Sequence, residues 1–462
     1  MMFHDRNEEL DALREEYETD RFSFAIVYGR RRVGKTELIK EFCDAHTHFY
    51  HLASQDSSKT QREKFVQELA THRDERTPRI EDWHDATDYL GEILTEGKQV
   101  VAIDEFPYLI ESDETVLSAF QHLVDTVKDD SQSMILLCGS SISVMESEVL
   151  GHESPLYGRR TTQIDLQPFS FEVASEVIDY SFEESIRSFA VTGGMPMYLT
   201  LFDYEESLET NLADNHLSKT SILYDEPEFL LRTELRNPSR YMSILESIAN
   251  GYTTPNEISG QTDVDSGPLS QYLQRLRRLR LVEREVPVTA RNKKTKRSVY
   301  TISDEFLRFW FRFVEPNRSG IEQAPELVLE NRILPDLDRF VSTTFEDVCE
   351  EALWKLSRNG QFDRSYGAIG RWWYGEHEID LVGLNEQTPA AIFGECKWTN
   401  TPVGMDLAED LQAKTDHVRW KNGEREEAYA LFSKAGFEDG LRDALGDDWH
   451  LFDLRKLSNV LS

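Results

Sequence analysis

The chain reads as a multidomain α/β protein: a parallel sheet around a phosphate loop, a helical lid, a winged helix-turn-helix and a second α/β domain. Three observations predict this. Gly29-Arg30-Arg31-Arg32-Val33-Gly34-Lys35-Thr36 completes a G-x-x-x-x-G-K-T pattern between an apolar run and a helical one. Residues 241–302 carry three helical periods followed by two short apolar runs around a basic turn. Near the C-terminus, Glu376-x-Glu378-Ile379-Asp380 is followed by Glu395-Cys396-Lys397 with strand-like alternation. The expected boundaries are 1–166, 167–236, 237–317 and 318–462.

Length and composition frame these elements. A chain of 462 residues has room for about three domains, and a hydrophobic share of 39% supplies real cores. The net charge is −34, with 85 acidic against 51 basic residues, and 16 lysines stand against 35 arginines. This pattern fits a halophilic, salt-rich cytosol, where a carboxylate-covered surface stays hydrated, better than simple avoidance of polyanions. Local charge is then the better guide to partners. Cys43, Cys138, Cys349 and Cys396 lie far apart in sequence, at no metal-ligand spacing, and read as reduced thiols of a cytoplasmic protein. Cys396 should point away from Glu395 and Lys397. Residues 1–10 are charged and lack the apolar core of a signal peptide, and no apolar run is long enough to span a membrane.

The first domain is predicted from its phosphate loop outward. Residues 22–28 form an apolar strand, and helical spacing resumes at 36–42. Gly29, Arg30, Arg31, Arg32, Val33 and Gly34 would present backbone amides to the phosphates of ATP, reinforced by the helix N-terminus. Lys35 would reach the β- and γ-phosphates, and the Thr36 hydroxyl would bind Mg²⁺. A second apolar strand, 100–103, ends in Asp104 and Glu105. Asp104 would hold Mg²⁺ through water, and Glu105 would orient or deprotonate the attacking water. A third strand, 134–138, ends in Gly139-Ser140-Ser141. Ser140 could report on the γ-phosphate, or the segment could merely cap the next helix. Arg159 and Arg160 could neutralise charge on the γ-phosphate, in the same chain or across a homo-oligomer, or pair with a surface carboxylate. Gly193-Gly194-Met195-Pro196 marks a sharp turn in the helical lid.

Residues 241–249, 254–259 and 266–279 read as three helices, and 281–288 with 299–302 as a β-wing. Thr254-Pro255 is a helix start. Arg275, Arg277, Arg278 and Arg280 border the third helix; Arg291, Lys293, Lys294, Lys296 and Arg297 fill the wing tip. This basic stretch in an acidic chain is a candidate DNA contact, with a lid or dimer module as the alternative. Residues 301–314 are expected to form an aromatic helix joining domains.

In the last domain, residues i, i+2 and i+4 of a strand share a face, so Glu376, Glu378 and Asp380 should project together. A turn at 385–389 would return the chain into a second strand, 390–397. Pairing would bring Asp380 and Glu395 to one Mg²⁺, with Lys397 beside them to orient water or offset phosphate charge. Glu346, on an upstream helix, could add a carboxylate. Gln412 and Lys414, on a helix over 405–419, could touch a scissile phosphate or merely form a solvated face.

The phosphate loop, the strand Ile103-Asp104-Glu105-Phe106-Pro107-Tyr108, the Gly139-Ser140-Ser141 turn and Pro155-Leu156-Tyr157-Gly158-Arg159-Arg160 together resemble archaeal ATPases of the STAND/AAA+ group. Ser303-Asp304-Glu305-Phe306-Leu307-Arg308-Phe309-Trp310 and Gly394-Glu395-Cys396-Lys397-Trp398 resemble the C-terminal region of that family, which is similar to PD-(D/E)XK, restriction endonuclease-like nucleases of the Holliday-resolvase type. The resemblance runs across nearly the whole chain. It implies ATP binding, a lid, a winged helix and a nuclease-like domain in that order. It also implies Asp380, Glu395 and Lys397 as catalytic positions, with Glu346 as the helical glutamate. Ile379 stands where the motif usually has proline. The expectation is an ATP-hydrolysing protein that binds DNA and cleaves it with Mg²⁺ under nucleotide control. The alternative is a nucleotide-controlled switch whose nuclease-like domain is catalytically silent.

Overall fold

The computed structural model describes residues 4–235, 237–290, 295, 297–362 and 364–461. These form two compact units, 1–168 and 169–462.

Five parallel strands build the first unit: β1 (Ser23–Tyr28), β2 (His48–Leu52), β3 (Val100–Asp104), β4 (Met134–Gly139) and β5 (Thr162–Asp165). Their order is β2-β3-β4-β1-β5. β1, β3 and β4 are buried along their whole length. That is why their sequences are apolar runs rather than alternations: parallel strands require crossovers, and helices then cover both faces. Phe24, Ile26, Ile103, Leu137, Phe65, Trp83, Leu90 and Phe120 form one core between sheet and helices. The loops at the carboxyl ends of β1, β3 and β4 therefore meet above the sheet, where open α/β sheets hold their ligands.

The second unit begins with helices over Phe171–Val177, Phe182–Thr192, Leu208–His216 and Ile222–Glu234. At the turn near Gly194, a Cβ would lie 1.8 Å from the Phe169 carbonyl oxygen, so no larger residue fits. Helices Pro238–Ala249, Pro255–Gln261 and Ser266–Arg278 follow, then the antiparallel pair β6 (Val282–Glu285) and β7 (Val299–Ile302). Thr254 and Glu257 close a capping box at the second helix. Leu269, Leu273 and Leu276 bury one face of the third. Arg291, Lys293, Lys294 and Lys296, expected at the tip of a wing, lie outside the described residues.

The aromatic helix is shorter than expected. Thr301 and Ile302 belong to β7, and the helix starts at Glu305, because the Asp304 side chain accepts the Leu307 amide and fixes the start there. After a long helix, Leu334–Arg358, come β8 (Ala368–Tyr374), β9 (His377–Asn385), β10 (Ala390–Lys397), β11 (Glu426–Ser433) and β12 (Trp449–Asp453), in the order β12-β11-β10-β9-β8. β8, β9 and β10 are antiparallel neighbours, whereas β10, β11 and β12 run parallel. Ile379, Val382, Phe393, Leu411 and Leu431 lie in the core of this sheet. Among the described residues, no helix is long and apolar enough to cross a membrane.

Candidate functional site

Two sites stand out, one in each unit. In the first, Gly29 has φ of +155° and its missing side chain is essential: a Cβ would sit 2.4 Å from the Leu166 carbonyl oxygen. Lys35, buried at the start of helix Lys35–Asp44, donates to the carbonyls of Gly29 (3.0 Å) and Arg30 (2.9 Å), curled beneath the loop. Arg30 is buried, Val33 is fully buried, and Arg31 and Arg32 flank them, Arg32 at φ +72°.

Thr36 Oγ1 donates to Asp104 Oδ2 at 2.8 Å, so the two residues assigned to Mg²⁺ are in contact. The Tyr50 hydroxyl donates to the same carboxylate oxygen at 3.0 Å, and the Glu105 amide donates to Oδ1 at 2.9 Å. Burial, with the neighbouring Asp104 charge, pushes the Tyr50 phenol far above its usual range, so it stays a donor. Two hydroxyls and a carboxylate at the mouth of a phosphate loop are the hard oxygen donors that a hydrated Mg²⁺ takes.

Glu105 is held in the left-handed region at φ +54°, and Ser140 Oγ lies 2.6 and 2.8 Å from its two carboxylate oxygens. Ser140 therefore meets Glu105 directly. Ser141 occupies a helix N-cap position without a side-chain capping bond. Arg159 pairs bidentately with Asp125 (3.0 and 2.7 Å) and donates to the Pro155 carbonyl. Arg160 is half-buried. Sequence reasoning missed Tyr50, one of several polar residues on β2. It also missed Arg6, which is buried and donates to the carbonyls of Val33 (3.2 Å) and Gln167 (2.7 Å), behind the loop.

The second site lies on the sheet of the second unit. β9 begins at His377, so Glu376 sits in the β8–β9 turn and does not share the strand face of Glu378 and Asp380. The preceding Gly375 at φ +63° makes that turn and shortens the strand. β9 and β10 pair in register from Asn385↔Ala390 to Leu381↔Gly394. Beyond that point the Asp380 carboxylate itself accepts the Cys396 amide at 2.8 Å.

Lys397 Nζ lies 2.7 Å from Glu395 and 3.6 Å from Asp380, so the three predicted residues meet at one point. Lys414 Nζ binds the other Glu395 oxygen at 2.9 Å and also pairs with Asp410. Gln412 is exposed. Glu395 is only 2% exposed; its burial and the Asp380 charge raise its pKa. Burial opposes the Lys397 charge, but Asp380 and Glu395 outweigh it and hold the ammonium above its ordinary range. Glu346, on helix Leu334–Arg358, pairs with Arg371 at 2.8 Å. Burial raises the Glu346 pKa, the Arg371 guanidinium opposes the rise, and the Asp380 charge adds to it.

Asp380 and Glu395 offer hard oxygens at a common point, which fits Mg²⁺ or Mn²⁺. Among the described residues, no three His, Cys, Asp or Glu side chains converge as a full metal shell. Cys396 is buried, as its strand position predicts, and its thiol meets that of Cys349, a contact their sequence separation hid. On the helix Ser266–Arg278, Arg277 and Arg278 are exposed and Arg275 is half-buried; Arg297, just before β7, is exposed.

A phosphate loop between a buried parallel strand and a helix, facing the acidic tip of β3 one strand beyond its neighbour β4, defines a P-loop ATPase. An ATPase domain found predominantly in Archaea matches residues 3–202, and a family described as Archaea bacterial proteins of unknown function matches 310–414. An uncharacterized protein of Methanocaldococcus jannaschii is 34% identical over 469 residues, covering 99% of this chain and 100% of the relative. The chain therefore belongs to the same family, an archaeal P-loop ATPase family with a further C-terminal region. An uncharacterized ATP-binding protein of the same organism is 48% identical over 44 residues, 10% of this chain and 75% of that one. A Walker-type ATPase of Pyrococcus abyssi superposes with a TM-score of 0.48 at 20% identity, over 67% of this chain and 96% of that one.

Proposed function

We propose that this ATPase binds DNA through the helix Ser266–Arg278 and the β6–β7 wing, a winged helix-turn-helix, and cleaves it with Mg²⁺ at Asp380, Glu395 and Lys397, under the control of its nucleotide state. The observation that carries the nuclease reading is the meeting of those three side chains: an ammonium 2.7 and 3.6 Å from two carboxylates on adjacent strands. The mixed sheet and flanking helix that hold them support a PD-(D/E)XK domain.

A bound Mg²⁺ would supply Lewis acidity and an activated water. Asp380 and Glu395 would hold it, and Lys397 would orient the water or offset charge on the phosphate. In the first unit, Thr36 and Asp104 would hold the Mg²⁺ of ATP, Lys35 would bind the phosphates and Glu105 would position the hydrolytic water. Exposed Arg277, Arg278 and Arg297 supply the charge that duplex contact needs.

The test is cleavage of plasmid and branched DNA with Mg²⁺ and ATP at high salt. Wild type should cut; Asp380→Ala and Lys397→Ala should lose at least about a hundredfold, in keeping with groups that act on the transition state. Equal activity in all three removes the nuclease.

One observation favours a second reading, a nucleotide-controlled switch with a silent nuclease-like domain. Both Glu395 oxygens are taken by ammonium groups, Lys397 and Lys414. Under that reading duplex binding responds to nucleotide, and no divalent ion promotes cutting by wild type.

A further inference from the structure

We propose that Arg371 is a latch that holds Glu346 away from the Asp380–Glu395 centre and ties that centre to the wing. The inference rests on the nuclease reading above.

Arg371 lies on β8 where the β8–β9 register shifts between Gly370 and Trp372. Such a bulge re-aims a side chain out of the regular alternation. The guanidinium consequently reaches three carboxylates on two other elements. Nη2 lies 2.8 Å from Glu346 and 3.5 Å from Asp347, both on the helix Leu334–Arg358. Nη1 lies 3.9 Å from Glu285, on wing strand β6.

The wing also leans on β8 through the backbone. The Val288 amide donates to the Arg371 carbonyl at 3.0 Å, and Trp373 Nε1 donates to the Arg297 carbonyl at 3.1 Å. Arg371 is thus the point where wing, helix and sheet meet. Glu346 is near enough to Asp380 for their charges to interact, yet its carboxylate is turned to the guanidinium. Arg371 and Glu346 are 18% and 22% exposed, so the pair is shielded enough to matter more than a surface ion pair.

Glu346 faces Nη2 at 2.8 Å and Glu285 faces Nη1 at 3.9 Å, so a guanidinium drawn toward Glu285 withdraws from Glu346. A wing displaced so that Glu285 closes on Arg371 frees Glu346 to turn toward the ion. Duplex DNA on the wing is the ligand that would drive this, and the coupling must be reciprocal: duplex tightens ion binding and the ion tightens duplex binding.

The experiment titrates Mn²⁺ into the full-length protein by electron paramagnetic resonance, with and without a short duplex. Without duplex, Arg371→Gln should bind Mn²⁺ about fivefold or more tightly than wild type, within the ordinary range of coupling. The gain should vanish in the double variant Arg371→Gln/Glu346→Gln. A gain that persists there reports only the lost positive charge and overturns the latch, as does no gain in the single variant. Duplex should tighten Mn²⁺ binding by wild type, and Glu285→Gln should cut that tightening by at least about half; an unchanged effect, or none in wild type, overturns the link to the wing. Glu285→Gln also keeps the proposal testable where Arg371→Gln fails to fold. Asp380→Ala separates the two layers: if it leaves Mn²⁺ affinity at the wild-type value, the nuclease reading itself has failed.

Discussion

Glu105 accepts the Ser140 hydroxyl while its backbone is held at φ +54°, a conformation that non-glycine residues adopt at a cost. The carboxylate assigned to the hydrolytic water is therefore already engaged. Ser140→Ala should release it and raise ATP turnover about threefold to tenfold with little change in KM, because the contact restrains a group used in the transition state. Steady-state ATPase kinetics check this, and a fall in turnover would make Ser140 a sensor of phosphate instead. Lys35→Ala should weaken ATP binding by roughly a hundredfold, the loss of a charged hydrogen-bonding partner of about 3 kcal/mol. Fluorescent-nucleotide titration measures it, and unchanged affinity would mean that the loop has been misread. At this scale the sequence was informative wherever backbone geometry enforces a motif. Gly29, Lys35, Thr36 and Asp104 are legible because the loop tolerates few other residues. Tyr50 and Arg371 are not, because a donor arriving from another strand leaves no spacing to read.

Strand and helix placement followed from burial. β10 spans Ala390–Lys397 as expected, buried on both faces, and its neighbour β9 loses Glu376 to the turn at Gly375. The Cys349–Cys396 contact was hidden because it joins a helix to a strand far away in the chain. A cavity of about 780 Å³ in the second unit is lined by Glu283, Glu285, Glu305, Asp347 and Glu350, with Arg308 among them. No motif announces it, since its acids come from β6 and two helices. Burial pushes Glu350 up to about 7 and Glu305 up to about 8. For Glu305 the Arg308 cation opposes the rise, and Asp304 and Asp347 add to it. A carboxyl whose folded pKa exceeds its unfolded one, near 4.5, binds protons on folding. Its contribution to stability is greatest below that value and is lost as pH rises toward 8. The second unit should therefore melt lower at pH 8.5 than at pH 6. Glu305→Gln should raise its midpoint at pH 8.5 by about 2–4 °C, the shift that roughly 1 kcal/mol gives a domain of this order of size, and should flatten the pH dependence. Scanning calorimetry at the two pH values decides; an equal slope in the variant rejects Glu305 as a source.

Across the whole molecule, a net charge of −34 opposes approach to DNA, so any duplex contact must draw on local basic groups. The exposed Arg277, Arg278 and Arg297 are such groups. Each arginine that neutralises a phosphate adds nearly one to the slope of log K against log salt. Arg277→Ala with Arg278→Ala should lower that slope by about two and weaken all duplex sequences alike. Fluorescence anisotropy over a salt series measures both, and an unchanged slope would assign the helix to protein contacts. The phosphate loop and the Asp380–Glu395 centre lie in separate compact bodies, so the dependence of cleavage on nucleotide is the measure of their coupling. A ligand shifts an equilibrium only by its differential affinity for the two states. If nucleotide state governs cutting, wild-type cleavage in ATP and in ADP must differ. Lys35→Ala, with its weakened nucleotide binding, must abolish that difference at nucleotide concentrations that saturate only the wild type. Parallel cleavage time courses in ATP, ADP and no nucleotide make the measurement. A wild-type rate indifferent to all three would leave the ATPase and the nuclease-like centre as independent activities of one chain.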